Sequence, residues 1–79
     1  MLVEELANLS GPSGSEDNVR DFIRAHAIAD EIYTDNMGNL ICHKKGSGKR
    51  VMVCAHMDEV ALIITSITDD GFLSFRTLG

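Results

Sequence analysis

The run Val51-Met52-Val53-Cys54-Ala55 constrains this chain more than any other stretch. Five consecutive β-compatible apolar residues leave no polar face to turn toward water, which predicts an interior strand of a sheet covered by helices. The most polar cluster of the chain, His56-Met57-Asp58-Glu59, follows immediately. Charged groups set directly after a buried strand lie where open α/β sheets place their ligands, at the strand carboxyl ends. Length supplies a second bound, because 79 residues make one small domain at most.

The preceding residues supply the helices. Leu2, Leu6 and Leu9 recur at helical spacing and predict a short helix over residues 2–8. Residues 9–15 break it with the one proline, Pro12, and two glycines. Ser13 and Glu16 match the S-x-x-E capping box, with Ser15 as an alternative N-cap. Val19, Phe22, Ile23, His26 and Ala27 then form one apolar stripe on an amphipathic helix over residues 15–27. His26 sits on the edge of the stripe and reads as a half-buried surface histidine.

Beyond residue 29 the hydrophobic period changes to two. Glu31-Ile32-Tyr33-Thr34 and Leu40-Ile41-Cys42-His43-Lys44 read as antiparallel strands, joined by a turn at residues 35–39. The glycine loop at residues 45–49 lacks the G-x-x-x-x-G-K-[ST] pattern and precedes a strand, which argues against a phosphate-binding loop. Residues 60–68 and Phe72-Leu73-Ser74-Phe75-Arg76 flank the hairpin signal Asp69-Asp70-Gly71. Two helices followed by five strands imply an α/β architecture, with two N-terminal helices packed on a mixed β-sheet.

Twelve Asp and Glu against seven Lys and Arg leave a net charge of −5, which opposes nucleic acid as a partner. No apolar stretch approaches the ~20 residues of a membrane helix. Met1-Leu2-Val3-Glu4-Glu5 lacks the basic start and long apolar run of a signal peptide, so no membrane partner and a cytoplasmic setting are expected. Cys42 and Cys54 lie in apolar runs without C-x-x-C spacing and read as buried, inert core thiols. A zinc site of Cys42, His43, Cys54 and His56 is disfavoured, because adjacent strand residues such as Cys42 and His43 point to opposite faces.

His56 and Asp58 are two apart, so in extended backbone they face the same side. One imidazole nitrogen can then bind a metal while the carboxylate holds the ring. Glu59 points the other way and is either a further acid or a solvated one. The H-x-D spacing by itself equally describes the polar start of a loop. Nucleophilic catalysis finds no support: Ser10, Ser13, Ser15 and Ser47 lie in loops without a G-x-S-x-G elbow, and no triad can be assembled.

Four blocks, taken in order, narrow the choice: Leu9-Ser10-Gly11-Pro12-Ser13-Gly14-Ser15-Glu16, Thr34-Asp35-Asn36-Met37-Gly38-Asn39-Leu40, Ala55-His56-Met57-Asp58-Glu59-Val60, and Asp70-Gly71-Phe72-Leu73 through Thr77-Leu78-Gly79. With them the chain resembles the N-terminal portion of the dinuclear metallo-aminopeptidases. That family includes glutamyl, deblocking and tetrahedral aminopeptidases, and some members carry an endoglucanase label. One departure is Ala61, where the family pattern has glycine after H-M-D-E-V.

The resemblance implies that residues 1–79 are the incomplete N-terminal part of a metallopeptidase catalytic domain. It assigns His56 as a ligand of one of two divalent ions (zinc, cobalt or manganese) and Asp58 as the catalytic-site acid that orients it. It also implies a peptide substrate and a homo-oligomer. The family's remaining ligands and its catalytic glutamate lie beyond the matched blocks, and catalytic zinc sites use three protein ligands, so the 79-residue chain alone is expected to be inactive. One alternative is a non-catalytic α/β module that self-associates through exposed apolar faces. Another is a glycoside hydrolase, disfavoured because Asp58 and Glu59 are neighbours on opposite faces and not a facing pair of carboxylates.

Overall fold

Local patterning sets nearly every element. The computed structural model describes residues 2–79. It contains α1 (Leu2–Ala7), α2 (Asp17–His26), β1 (Glu31–Thr34), β2 (Leu40–His43), β3 (Ala61–Ile67) and β4 (Leu73–Leu78). Both helices precede the strands, as the periodicity predicts, and the class is α/β. The strands pair as two antiparallel two-stranded sheets, β1 with β2 and β3 with β4.

Helix α2 starts without the expected serine cap. Its N-cap is Glu16, with no side-chain hydrogen bond to the helix. The Ser15 amide instead donates to Pro12 O at 2.9 Å, closing a turn over residues 12–15, and Glu16 Oε1 accepts from the Gly14 amide at 2.7 Å. Ser13 is thereby held inside a turn, so the S-x-x-E spacing forms no capping box. Asp17 places its charge in the first turn, where the helix dipole favours it.

The β1–β2 hairpin runs in register from Glu31 opposite His43 to Thr34 opposite Leu40. In the β3–β4 hairpin, Ala61 faces Leu78 and Ile67 faces Leu73, with a bulge between Ile64 and Ser66. Both turns place glycine in the left-handed region, Gly38 at φ 86° and Gly71 at φ 88°.

The expected interior strand at residues 51–55 is absent. The run carries no strand pairing, and Val51, Met52 and Val53 are 84%, 85% and 90% exposed. Apolar character makes a strand only where neighbouring backbones accept its hydrogen bonds, and both hairpins close on themselves. The exposure of Cys42 and Cys54 has the same origin. Cys54 lies in the unpaired run. Cys42 lies on a two-stranded ribbon too narrow to enclose a thiol. Neither is the buried core thiol that its apolar neighbours predict.

The segment is fastened further on, where Pro12 and Glu59 form an isolated parallel bridge. Val19 is the one buried hydrophobic side chain among the described residues. The radius of gyration is 17.0 Å, against about 12 Å for a compact domain of this length. The accessible surface is 6920 Å², against roughly 4,700 Å² for a compact protein of this mass. Elements form locally, and most apolar faces remain in water. No helix among the described residues is long and apolar enough to cross a membrane.

Candidate metal-ligand site

The segment between the unpaired run and β3 brings His56 and Asp58 together. His56 Nδ1 lies 3.1 Å from Asp58 Oδ1 and 2.9 Å from the Asp58 carbonyl oxygen. Both partners are acceptors when the carboxylate is ionised, which assigns the imidazole hydrogen to Nδ1. In the neutral ring Nε2 then carries a lone pair. The His56 side chain is 84% exposed and that of Asp58 40%, so the ring stands open while its anchoring acid is partly sheltered.

Two clefts border this segment. One, of about 310 Å³, is walled by Val3, Leu6, Leu9, Val19 and Ile23 opposite His56, Met57, Asp58 and Glu59. The other, of about 200 Å³, is lined by Glu16, Arg20, Met37, Gly38 and Asn39 opposite residues 55–58. The first wall is apolar because the stripe of α2 faces it. The second is polar because Arg20 and the β1–β2 turn meet there.

Sequence reasoning assigned Arg20 no role, yet Arg20 organises the polar wall. Its Nε donates to Gly38 O at 2.9 Å, and its guanidinium pairs with Asp17 and, at 3.9 Å, with Glu16. Acids three and four residues before an arginine on one helix are the signal that would have found it. Asp35, at the start of the same β1–β2 turn, accepts from the amides of Met37 and Asn39 and from Asn39 Nδ2, each at 2.9 Å. Its carboxyl is held below the usual carboxylate range, chiefly by the Asn39 side chain and next by the Asn39 amide, while burial opposes the shift.

The remaining candidates lie apart. His26 is exposed and not half-buried as expected: its ring stacks on Phe22 at 4.1 Å, and Nδ1 lies 2.8 Å from Phe22 O. The carbonyl draws the ring back along the helix and away from the core. His43 Nδ1 is 3.9 Å from Glu31 Oε2. The Glu59 side chain is exposed. Among the described residues no three His, Cys, Asp or Glu side chains converge as a metal-binding group. His56 therefore offers one nitrogen donor, with a carboxylate fixing its other nitrogen. That chemistry suits a divalent ion as one ligand of a larger set.

Comparison with known proteins places this geometry in context. Residues 38–79, which include His56 and Asp58, match the family model described as M42 glutamyl aminopeptidase. A lysyl aminopeptidase from Pyrococcus furiosus is 38% identical over 81 residues, covering 99% of this chain and 23% of that protein. An aminopeptidase structure from the archaeon Desulfurococcus kamchatkensis shares 39% identity at a TM-score of 0.89, over 99% of this chain and 23% of its own. An endoglucanase structure from Thermotoga maritima shares 46% identity at a TM-score of 0.84, over 95% of this chain and 25% of its own. The chain spans about a quarter of the length of these relatives.

Proposed function

The chain belongs to the M42 glutamyl aminopeptidase family, and on that premise we propose that it forms the N-terminal part of the catalytic domain of a metal-dependent aminopeptidase. In this reading His56 is a ligand of a divalent ion and Asp58 is the acid that orients it. The observation that carries the proposal is the bond pattern at His56. Asp58 occupies Nδ1 through both carboxylate and carbonyl, which leaves Nε2 as the donor atom. Asp58 fixes the tautomer and the ring plane, which presents Nε2 to an incoming ion.

A bound divalent ion supplies a water of lowered pKa and a polarised carbonyl, the requirements for cleaving the peptide bond after an N-terminal residue. Imidazole and carboxylate accommodate zinc, cobalt and manganese alike. One imidazole is a third of the protein ligands that catalytic zinc sites use, so the 79-residue chain by itself is proposed to be inactive. Its open apolar faces support self-association as a homo-oligomer. The endoglucanase name of one structural neighbour does not redirect the reading, because Asp58 is committed to His56 and is not free to act as one of two facing carboxylates.

Titrating zinc into the chain and its variants tests the assignment. His56→Ala should abolish specific binding, and Asp58→Asn should weaken it about 10- to 100-fold. Equal zinc affinity in His56→Ala would remove His56 as a ligand. Metal-dependent release of N-terminal residues by the purified chain would overturn its proposed inactivity.

A further inference from the structure

Among the described residues two are buried, Gly11 and Val19, and they touch each other. In a chain this open, the location of its one enclosed contact is informative. A methyl group at Gly11 would sit 2.7 Å from Val19 Cγ2 and 3.5 Å from the Met57 carbonyl oxygen. Gly11 does not adopt positive φ, so space and not backbone conformation excludes a side chain there. From the same residue, Gly11 O accepts the Glu59 amide at 2.9 Å, beside the Pro12–Glu59 bridge.

The Glu59 nitrogen and the Asp58 carbonyl belong to one planar peptide unit. The N–H of that unit bonds to Gly11, and its C=O accepts from His56 Nδ1 at 2.9 Å. Orienting one end of a rigid trans peptide orients the other, and each bond polarises the unit in favour of its partner. We infer that Gly11 is a positioning residue for the His56 and Asp58 pair: its bare backbone lets the loop close against Val19 and aim the Asp58–Glu59 peptide at the imidazole. The inference deepens the metal-ligand reading proposed above and rests on it for its functional meaning, but the hydrogen-bond relay is testable without metal.

The test is nuclear magnetic resonance on the metal-free chain at a pH where the His56 ring is neutral. Two-bond proton–nitrogen correlations report which ring nitrogen carries the hydrogen, and amide exchange at Glu59 reports the bond to Gly11. In the parent chain and in Val19→Ala, His56 should show the Nδ1–H pattern with a protected Glu59 amide. Gly11→Ala should average the two tautomers and speed Glu59 exchange about tenfold or more, as expected when a hydrogen bond of ~1.4 kcal/mol is lost. The double variant Gly11→Ala with Val19→Ala gives the added methyl room and should restore both signals.

An unchanged tautomer and unchanged Glu59 exchange in Gly11→Ala would overturn the inference. So would a double variant that stays as perturbed as Gly11→Ala alone, including the case in which both lose the β3–β4 cross-strand signals and are simply unfolded. Zinc titration separates the two proposals. If His56→Ala binds zinc as the parent does while Gly11→Ala still scrambles the tautomer, the metal assignment fails and the positioning role stands. If His56→Ala abolishes binding while Gly11→Ala leaves the ring unchanged, the reverse holds.

Discussion

The two hairpins use the same turn and differ in what surrounds it. In the first, the Asp35 amide donates to Asn39 O at 3.0 Å and the Gly38 amide to Asp35 O at 3.1 Å. In the second, the Thr68 amide donates to Phe72 O at 2.8 Å and the Gly71 amide to Thr68 O at 3.1 Å. Each is a three-residue loop with glycine in the left-handed position, the geometry that matches strand twist. A side-chain oxygen at the first position braces both turns: the Asp35 carboxylate in one, and in the other Thr68 Oγ1, which accepts the Phe72 amide at 2.9 Å. Among the described residues, only the first is hydrogen-bonded to a helix by side chains, through Arg20 to Gly38 O and Arg24 to Thr34 Oγ1. The second leaves Leu62, Ile63, Ile64 and Phe75 about half exposed. Turn chemistry is sufficient to pair two strands, whereas fixing the pair in the molecule takes long side chains from another element.

Removing the anchor is the most direct way to break this contrast, and it carries the largest expected effect. The Arg20 side chain is 14% exposed and bonds both the turn and the acids of its own helix. Arg20→Ala should lower the local opening free energy of the β1–β2 turn by about 2 kcal/mol, the scale of a hydrogen bond to a charged group. Hydrogen exchange at the Asp35 amide reads that change, with the Thr68 amide as the internal control. Equal acceleration at Thr68 would show that the hairpins are coupled and the contrast false.

A smaller effect separates the two glycines. Alanine at Gly71 meets nothing within 4 Å, so its cost is that of a left-handed residue, about 1 kcal/mol. Alanine at Gly38 carries the same cost and also approaches the Arg20 guanidinium at 3.2 Å. Gly38→Ala should therefore destabilise its hairpin by a few tenths of a kcal/mol more than Gly71→Ala destabilises the other, as the arginine shifts aside. The excess should disappear in an Arg20→Ala background, which a double-mutant cycle on the same amides would show.

What could be read from the sequence divides along the same line. Both turns were legible, because the residues that form them lie within five positions of one another and include the glycine each turn requires. The meeting of His56 and Asp58 was legible for a similar reason, since side chains two apart in extended backbone share a side. The run at residues 51–55 was misread because its apolar character is local while strand pairing is not. Ser13 was misread as a cap because S-x-x-E does not disclose that Pro12 and Ser15 bond each other first. Gly11 passed as loop punctuation, since nothing near it in sequence announces a partner at Glu59. The candidate site was thus visible in its donor atoms and hidden in its support.

Acid gives the smallest perturbation of the turn itself, because it removes one side-chain brace and leaves the backbone bonds in place. The Asp35 carboxyl is held below its ordinary value of 3.8, first by the Asn39 side chain and then by backbone amides. The folded turn therefore binds that proton less readily than the unfolded chain. Its stabilisation is complete above the unfolded value and is lost as pH falls through the depressed folded one. Between pH 6 and pH 2 the cross-strand contact of Thr34 with Leu40 should weaken, with the change concentrated below about pH 4. The Thr68 hydroxyl does not titrate, so its brace on the Phe72 amide persists across that range. Exchanging the two braces sharpens the comparison: Asp35→Thr should remove the acid-induced loosening of the first turn, and Thr68→Asp should confer one on the second. If Asp35→Thr loosens in acid as the parent does, the carboxylate is not what holds that turn.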